Sequence, residues 1–232
     1  MQAGAGNPIK KNALRLFIVA TIADITGIAF NTTWLHYSAK PLLLPLLIIA
    51  TAFTTPASLK MLFITALFFS WAGDLFLLFE SSHALFFIFG LASFLTTHIL
   101  YIVYFIRTGK SNQTSLLKQQ PWLAPVVVLY GAGLVWLLFP YLGTLKIPVI
   151  VYAAVICSML LSSLHIYNRI PRSAAILFAS GALLFVLSDS LLAINKFYTP
   201  LPYGGVWVML TYCAAQFNIV NGFIKCNQHD KG

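Results

Sequence analysis

Apolar runs close to twenty residues long follow one another along the chain, separated only by brief polar loops. A helix of that length spans the ~30 Å hydrocarbon layer of a bilayer at 1.5 Å per residue. Polar and apolar residues do not alternate within the runs, so the period-two pattern of a membrane barrel is absent. In lipid each backbone N–H and C=O has to be satisfied internally, which leaves the helix. Charged residues make up 8% of the sequence and the mean hydropathy is +0.86, whereas about one quarter of a soluble domain is charged. The expectation is an all-α membrane protein, and the loops leave no room for a soluble domain.

Eight spans are predicted, at residues 14–33, 41–54, 59–79, 84–106, 122–141, 147–165, 174–194 and 205–224. They form a single eight-span transmembrane domain over residues 1–232. The second is short and bounded by Pro41, Pro45 and Pro56, so it is expected to be tilted or partly irregular. Lys10, Lys11, Arg15, Lys60, Arg107, Lys110, Lys118, Arg169, Arg172, Lys225 and Lys231 fall at the N-terminus and the even loops; Lys40, Lys146 and Lys196 fall on the opposite side. The bias of basic residues toward the cytoplasm places both termini there. It also explains the net charge of +9 better than a nucleic-acid partner, and none is expected. The polar, basic start lacks cleavable-signal chemistry, and the absence of retention or transit signals favours a bacterial inner membrane over an organelle. Cys157, Cys213 and Cys226 have neither paired nor metal-ligand spacing.

Two aspartates interrupt this apolar background. Asp74 lies in Ser70-Trp71-Ala72-Gly73-Asp74-Leu75-Phe76, and Asp189 in Leu187-Ser188-Asp189-Ser190-Leu191. A carboxylate at membrane depth costs roughly 2.5–3.5 kcal/mol on insertion scales. Each lies five residues before the outer end of its span, about 7–8 Å below the same surface. A short echo between spans three and seven fits two parallel four-helix halves. The alternative to a shared site is that each acid is tied to a nearby Lys, Ser or Thr. Two acids sharing a low-dielectric site cannot both ionise cheaply, so one keeps its proton at neutral pH. That pairing equips a site for general-acid catalysis.

Other polar residues have weaker claims. Lys40 and Lys196, at outer span ends, either snorkel to the interface or hold a lipid phosphate. His98, with Tyr101, is either a buried, hydrogen-bonded histidine or a substrate contact. Gln216, Asn218 and Asn221 suit interhelical hydrogen bonds, and Gln216 is also a candidate for lining the site. Asp24 is either a third member of the polar interior or, the favoured reading, a residue hydrogen-bonded to neighbouring threonines. His36 and His83 lie near the rim, but three or four convergent metal ligands are missing; neither metal nor cofactor is expected. Phosphate loops, Ser-His-Asp sets and dinucleotide fingerprints are likewise missing.

Lys40-Pro41-Leu42, Gly73-Asp74-x-x-Leu77-Leu78, Phe94-x-x-x-His98-x-x-Tyr101, Ser188-Asp189-x-Leu191-Leu192-Ala193 and Ala215-Gln216 together resemble the YhhN family over nearly the whole chain. That resemblance implies an eight-span, lysoplasmalogenase-like ether hydrolase acting on a lysophospholipid among membrane lipids. The products would be a fatty aldehyde and a glycerophospho-base, and the family's aspartate pair maps onto Asp74 and Asp189. Either aspartate can be the acid; the apolar surroundings of Trp71 and Phe76–Phe79 favour Asp74 as the proton donor, while Ser188 and Ser190 favour an ionised Asp189. The competing function is a proton-coupled transporter with the acids as relays, which would need broken helices near midplane. An intramembrane aspartyl protease lacks its Gly-x-Gly-Asp form here. A non-catalytic lipid-binding role would survive acid-to-amide changes.

Overall fold

The computed structural model describes residues 7–54, 59–109 and 112–228, and every regular element among them is helical. α1 runs Pro8–Ala29, with the Asn7 side chain accepting the Ile9 N–H and Pro8 at the first turn, where a missing N–H costs nothing. α2 is Thr33–Ala52, α3 Lys60–Leu78 and α4 Ala84–Thr108. A four-residue turn, α5 (Leu116–Gln119), precedes α6 (Leu123–Leu138) and α7 (Lys146–His165). α8 (Arg172–Ala193) continues without a break into a π-wound segment, Ile194–Tyr198, and α9 is Gly204–Cys226.

Seven stretches among the described residues are long and apolar enough to cross a membrane: α1 to α4, Leu123–Tyr141, Gly143–His165 and Arg172–Tyr198. They include seven of the eight expected spans. α9 has the length, at 23 residues, but Gln216, Asn218 and Asn221 dilute its hydropathy.

The second span departs from expectation. It is a 20-residue helix starting at Thr33, with Pro41 and Pro45 inside it; Pro56 lies outside the described residues. The chain turns from α1 into α2 within three residues, with Asn31 at φ +54°, a left-handed conformation that asparagine tolerates. An interior proline normally breaks a helix because position i−4 loses its N–H donor. Pro45 orphans the carbonyl of Pro41, and the Trp71 indole N–H of α3 donates to that oxygen at 2.9 Å. The bond satisfies the proline's missing partner and fixes where α3 lies along α2.

The chain forms two compact units, one up to Leu100 with the residues after Cys226, the other Tyr101–Cys226. In the first, α1 packs on α2 so closely that a methyl on Gly27 would meet the His36 backbone nitrogen at 2.7 Å. Gly73 likewise admits the Phe94 ring of α4, and the Thr97 hydroxyl donates to the Ala66 carbonyl at 3.1 Å. In the second, Tyr104, Phe105, Phe178 and Phe223 form a buried aromatic cluster. α8 and α9 lie against each other through Gly181 and Gly222, where added methyls would strike Ile219 and Phe178.

Candidate functional site

Asp74 occupies the face of α3 that meets α2. Trp71, three residues earlier, bonds the Pro41 carbonyl, and Leu78, four later, accepts the Tyr37 hydroxyl at 3.2 Å. The latter bond satisfies one of the C-terminal carbonyls that a helix leaves open. Because 71 pairs with 41 and 78 with 37, Asp74 falls at the level of Lys40. Both are buried, at 2% and 9% exposure. Lys40 therefore does not sit at a span end: seven residues of helix precede it, about 10 Å at 1.5 Å per residue. Among the described residues its ammonium has neither a hydrogen bond nor an ion pair.

Asp189 is half-buried at the centre of a Ser-Asp-Ser segment held from three helices. The Ser188 hydroxyl donates to the Val208 carbonyl of α9 at 3.0 Å. The Tyr130 hydroxyl of α6 donates to Ser190 Oγ at 2.9 Å, and Ser190 passes its own proton to the Val186 carbonyl. Between them the Tyr152 hydroxyl of α7 donates to the Asp189 carboxylate in a short hydrogen bond. Neither Tyr130 nor Tyr152 was singled out from sequence; hydroxyls on apolar helices with no motif around them gave no signal.

The remaining candidates are distributed along the helices. Tyr101 donates to Gln216 Oε1 at 2.9 Å, both fully buried. On α9, Gln216 lies eight residues beyond Val208, the partner of Ser188, so it sits about 12 Å along the helix from the Asp189 level. His98 is fully buried next to Thr97, which bonds α3 at Ala66, about 12 Å along α3 from Asp74. Asn218 donates to Ser180 Oγ and Asn221 to the Phe217 carbonyl. Lys196 is exposed within the π segment, whose wider winding breaks the 3.6-residue period that would stack it over Asp189. That segment also puts Asp189 nine residues, not five, before the end of continuous helix.

Asp24 corrects the sequence reading. Its partner is not threonine: Oδ1 lies 2.7 Å from Nδ1 of His36, across the α1–α2 turn. Asp24 is fully buried, and its Oδ2 and the nearby Thr21 Oγ1 have no partner among the described residues. No group of three or more His, Cys, Asp or Glu residues suited to a metal occurs among the described residues.

The helices and their buried carboxylates define a multi-pass, all-α membrane protein with acidic groups set into its spans. The chain belongs to the YhhN family, which it matches over residues 35–223. It is 32% identical to lysoplasmalogenase TMEM86A of Bos taurus over 70% of this chain and 65% of the relative. The human TMEM86A lysoplasmalogenase is 34% identical, again over 70% of this chain and 65% of the relative. A lysoplasmalogenase of Mycobacterium bovis is 31% identical over 59% of this chain and 51% of its own length. The matched region thus covers just under two thirds, or only half, of these relatives. No solved structure matches.

Proposed function

We propose that this protein hydrolyses the vinyl ether bond of lysoplasmalogens, releasing a fatty aldehyde and a glycerophospho-base. Its membership of the YhhN family, with relatives named lysoplasmalogenase, carries the reading. The two intramembrane aspartates supply the chemistry it requires.

Vinyl ether hydrolysis begins when an acid delivers a proton to the distal alkene carbon, leaving an oxocarbenium ion at the carbon bonded to oxygen. Water adds to that carbon and gives up a proton to the second carboxylate; in the collapse that follows, this group protonates the glycerol oxygen while the first takes the hemiacetal hydroxyl proton, which resets both. The resulting hemiacetal breaks its bond to the glycerol oxygen, yielding aldehyde and alcohol, so one water is consumed and no redox partner is needed. Asp74, buried on α3 one turn from Trp71, is the proposed proton donor. Asp189, oriented by Tyr152, is the proposed carboxylate that offsets the cation and accepts the proton of water. Paired-carboxylate glycosidases handle a transition state of the same character. Lys40 is the proposed contact for the lipid phosphate, with Lys196, His98, Tyr101 and Gln216 as proposed contacts for the rest of the substrate.

The proposed topology has α9 as an eighth crossing and both termini in the cytoplasm, following the distribution of Lys and Arg; Lys110 and Lys231 of that distribution lie outside the described residues. The experiment is aldehyde release by purified protein from lysoplasmenylethanolamine, with the ester-linked lysolipid alongside. Aldehyde from the vinyl ether lipid alone supports the reading. Fatty acid from the ester lipid, or no product from either, contradicts it.

A further inference from the structure

His36 and Lys40 are four residues apart on α2, hence on one face of the helix, and Leu43 and Leu47 continue that face fully buried. The face therefore changes from two cationic-type side chains to pure hydrocarbon within two turns. The two leucines are packed inside the protein, so only the His36–Lys40 end of the face can meet a ligand. The upper member of the stripe is held from behind: buried Asp24 bonds His36 Nδ1, and Gly27 lets α1 approach the His36 backbone. The two ring nitrogens diverge, so Nε2 points away from Asp24, and among the described residues no hydrogen bond meets it. The His36 side chain keeps 21% of its surface open. Asp24 has a second oxygen, Oδ2, with no partner among the described residues, so within them His36 alone compensates that carboxylate. Lys40 is nine-tenths buried; among the described residues its ammonium meets no anion, and it is not one of the fully buried polar atoms, so a ligand can reach it.

We propose that His36 and Lys40 clamp the phosphate of a single-chain phospholipid headgroup, and that Asp24 acts as the positioning residue for His36. Carboxylate, imidazolium and phosphate then alternate in charge along one line, and the hydrogen bonds to phosphate are charge-assisted. The assignment deepens the reading of the substrate as a lysophospholipid and rests on it for the headgroup. Asp24 lies before the family-matched segment, which starts at residue 35.

The test is equilibrium binding of two inert saturated-ether probes to the full-length protein in detergent. One is 1-O-alkyl-lysophosphatidylethanolamine and the other is 1-O-alkylglycerol, which lacks the phosphate. Wild type is expected to prefer the phosphate-bearing probe by at least about ten-fold. His36→Gln and Lys40→Gln should each weaken that probe about ten-fold and leave alkylglycerol unchanged, Asp24→Asn should weaken it less, and Lys40→Arg should restore it. Thermal melting shows that each variant is folded. Equal losses on both probes, or no loss on either, overturn the clamp. Preference for the phosphate probe without hydrolysis of lysoplasmalogen would leave the clamp standing and remove the proposed reaction. Hydrolysis without phosphate preference would do the reverse.

Discussion

Asp74 and Asp189 stand out in sequence because a lone carboxylate in an apolar run has few bland explanations, but their partners could not be read the same way. Tyr152 is one of several tyrosines on apolar helices, and only packing of α7 on α8 identifies it as the donor to Asp189. Tyr152→Phe keeps the ring and removes that donor. Under the proposed mechanism, kcat for aldehyde release falls about 10- to 100-fold with KM little changed, and the pH–rate profile moves. A purely structural tyrosine would lower melting temperature and leave the profile of the surviving activity in place. Asp24 was read wrongly for a related reason. Helical spacing within α1 offers it threonines, whereas its real partner is twelve residues on, beyond a turn. The nearby Gly27 has no room for a Cβ, so Gly27→Ala should destabilise by about 1–3 kcal/mol, the usual cost of overpacking, read by denaturation in detergent.

At the level of elements, seven of the eight spans were legible from apolar length alone, and the errors cluster at α2. Pro41 looks like a first-turn proline, which places the helix start at 41 and consigns residues 34–40 to a loop. The actual start at Thr33 makes both prolines interior and carries Tyr37, His36 and Lys40 onto a helix face. Sequence patterns do not show that Trp71, from another helix, replaces the N–H donor missing at Pro45. This yields a double-mutant prediction. Trp71→Phe leaves the Pro41 carbonyl without its donor and should cost about 1–3 kcal/mol. In a Pro45→Ala background the restored N–H serves that carbonyl, so the same Trp71 change should cost measurably less. Additive losses across the cycle would show that the indole bond is not what makes the prolines tolerable. The π segment after α8 was equally invisible, because winding is decided by packing and not by composition.

For the whole molecule, the all-helical, multi-pass character followed from the scarcity of charge, and family membership from short motifs spread over the full chain. The side of the membrane rests on the basic residues, and α9 decides whether the termini share it. With α9 crossing, cysteines introduced at Asn7 and Gln228 of a protein cleared of its native cysteines react with an impermeant thiol reagent from the same side of sealed vesicles. Labelling from opposite sides would make the number of crossings odd. The central claim is that both intramembrane aspartates perform the chemistry. The most direct measurement is aldehyde release from lysoplasmenylethanolamine by folded Asp74→Asn and Asp189→Asn proteins, with binding of the saturated-ether analogue measured in parallel. The account predicts that each variant binds the analogue yet loses at least about 10²-fold in turnover, the low end for removing an acid–base group. Near wild-type turnover by either variant would contradict it.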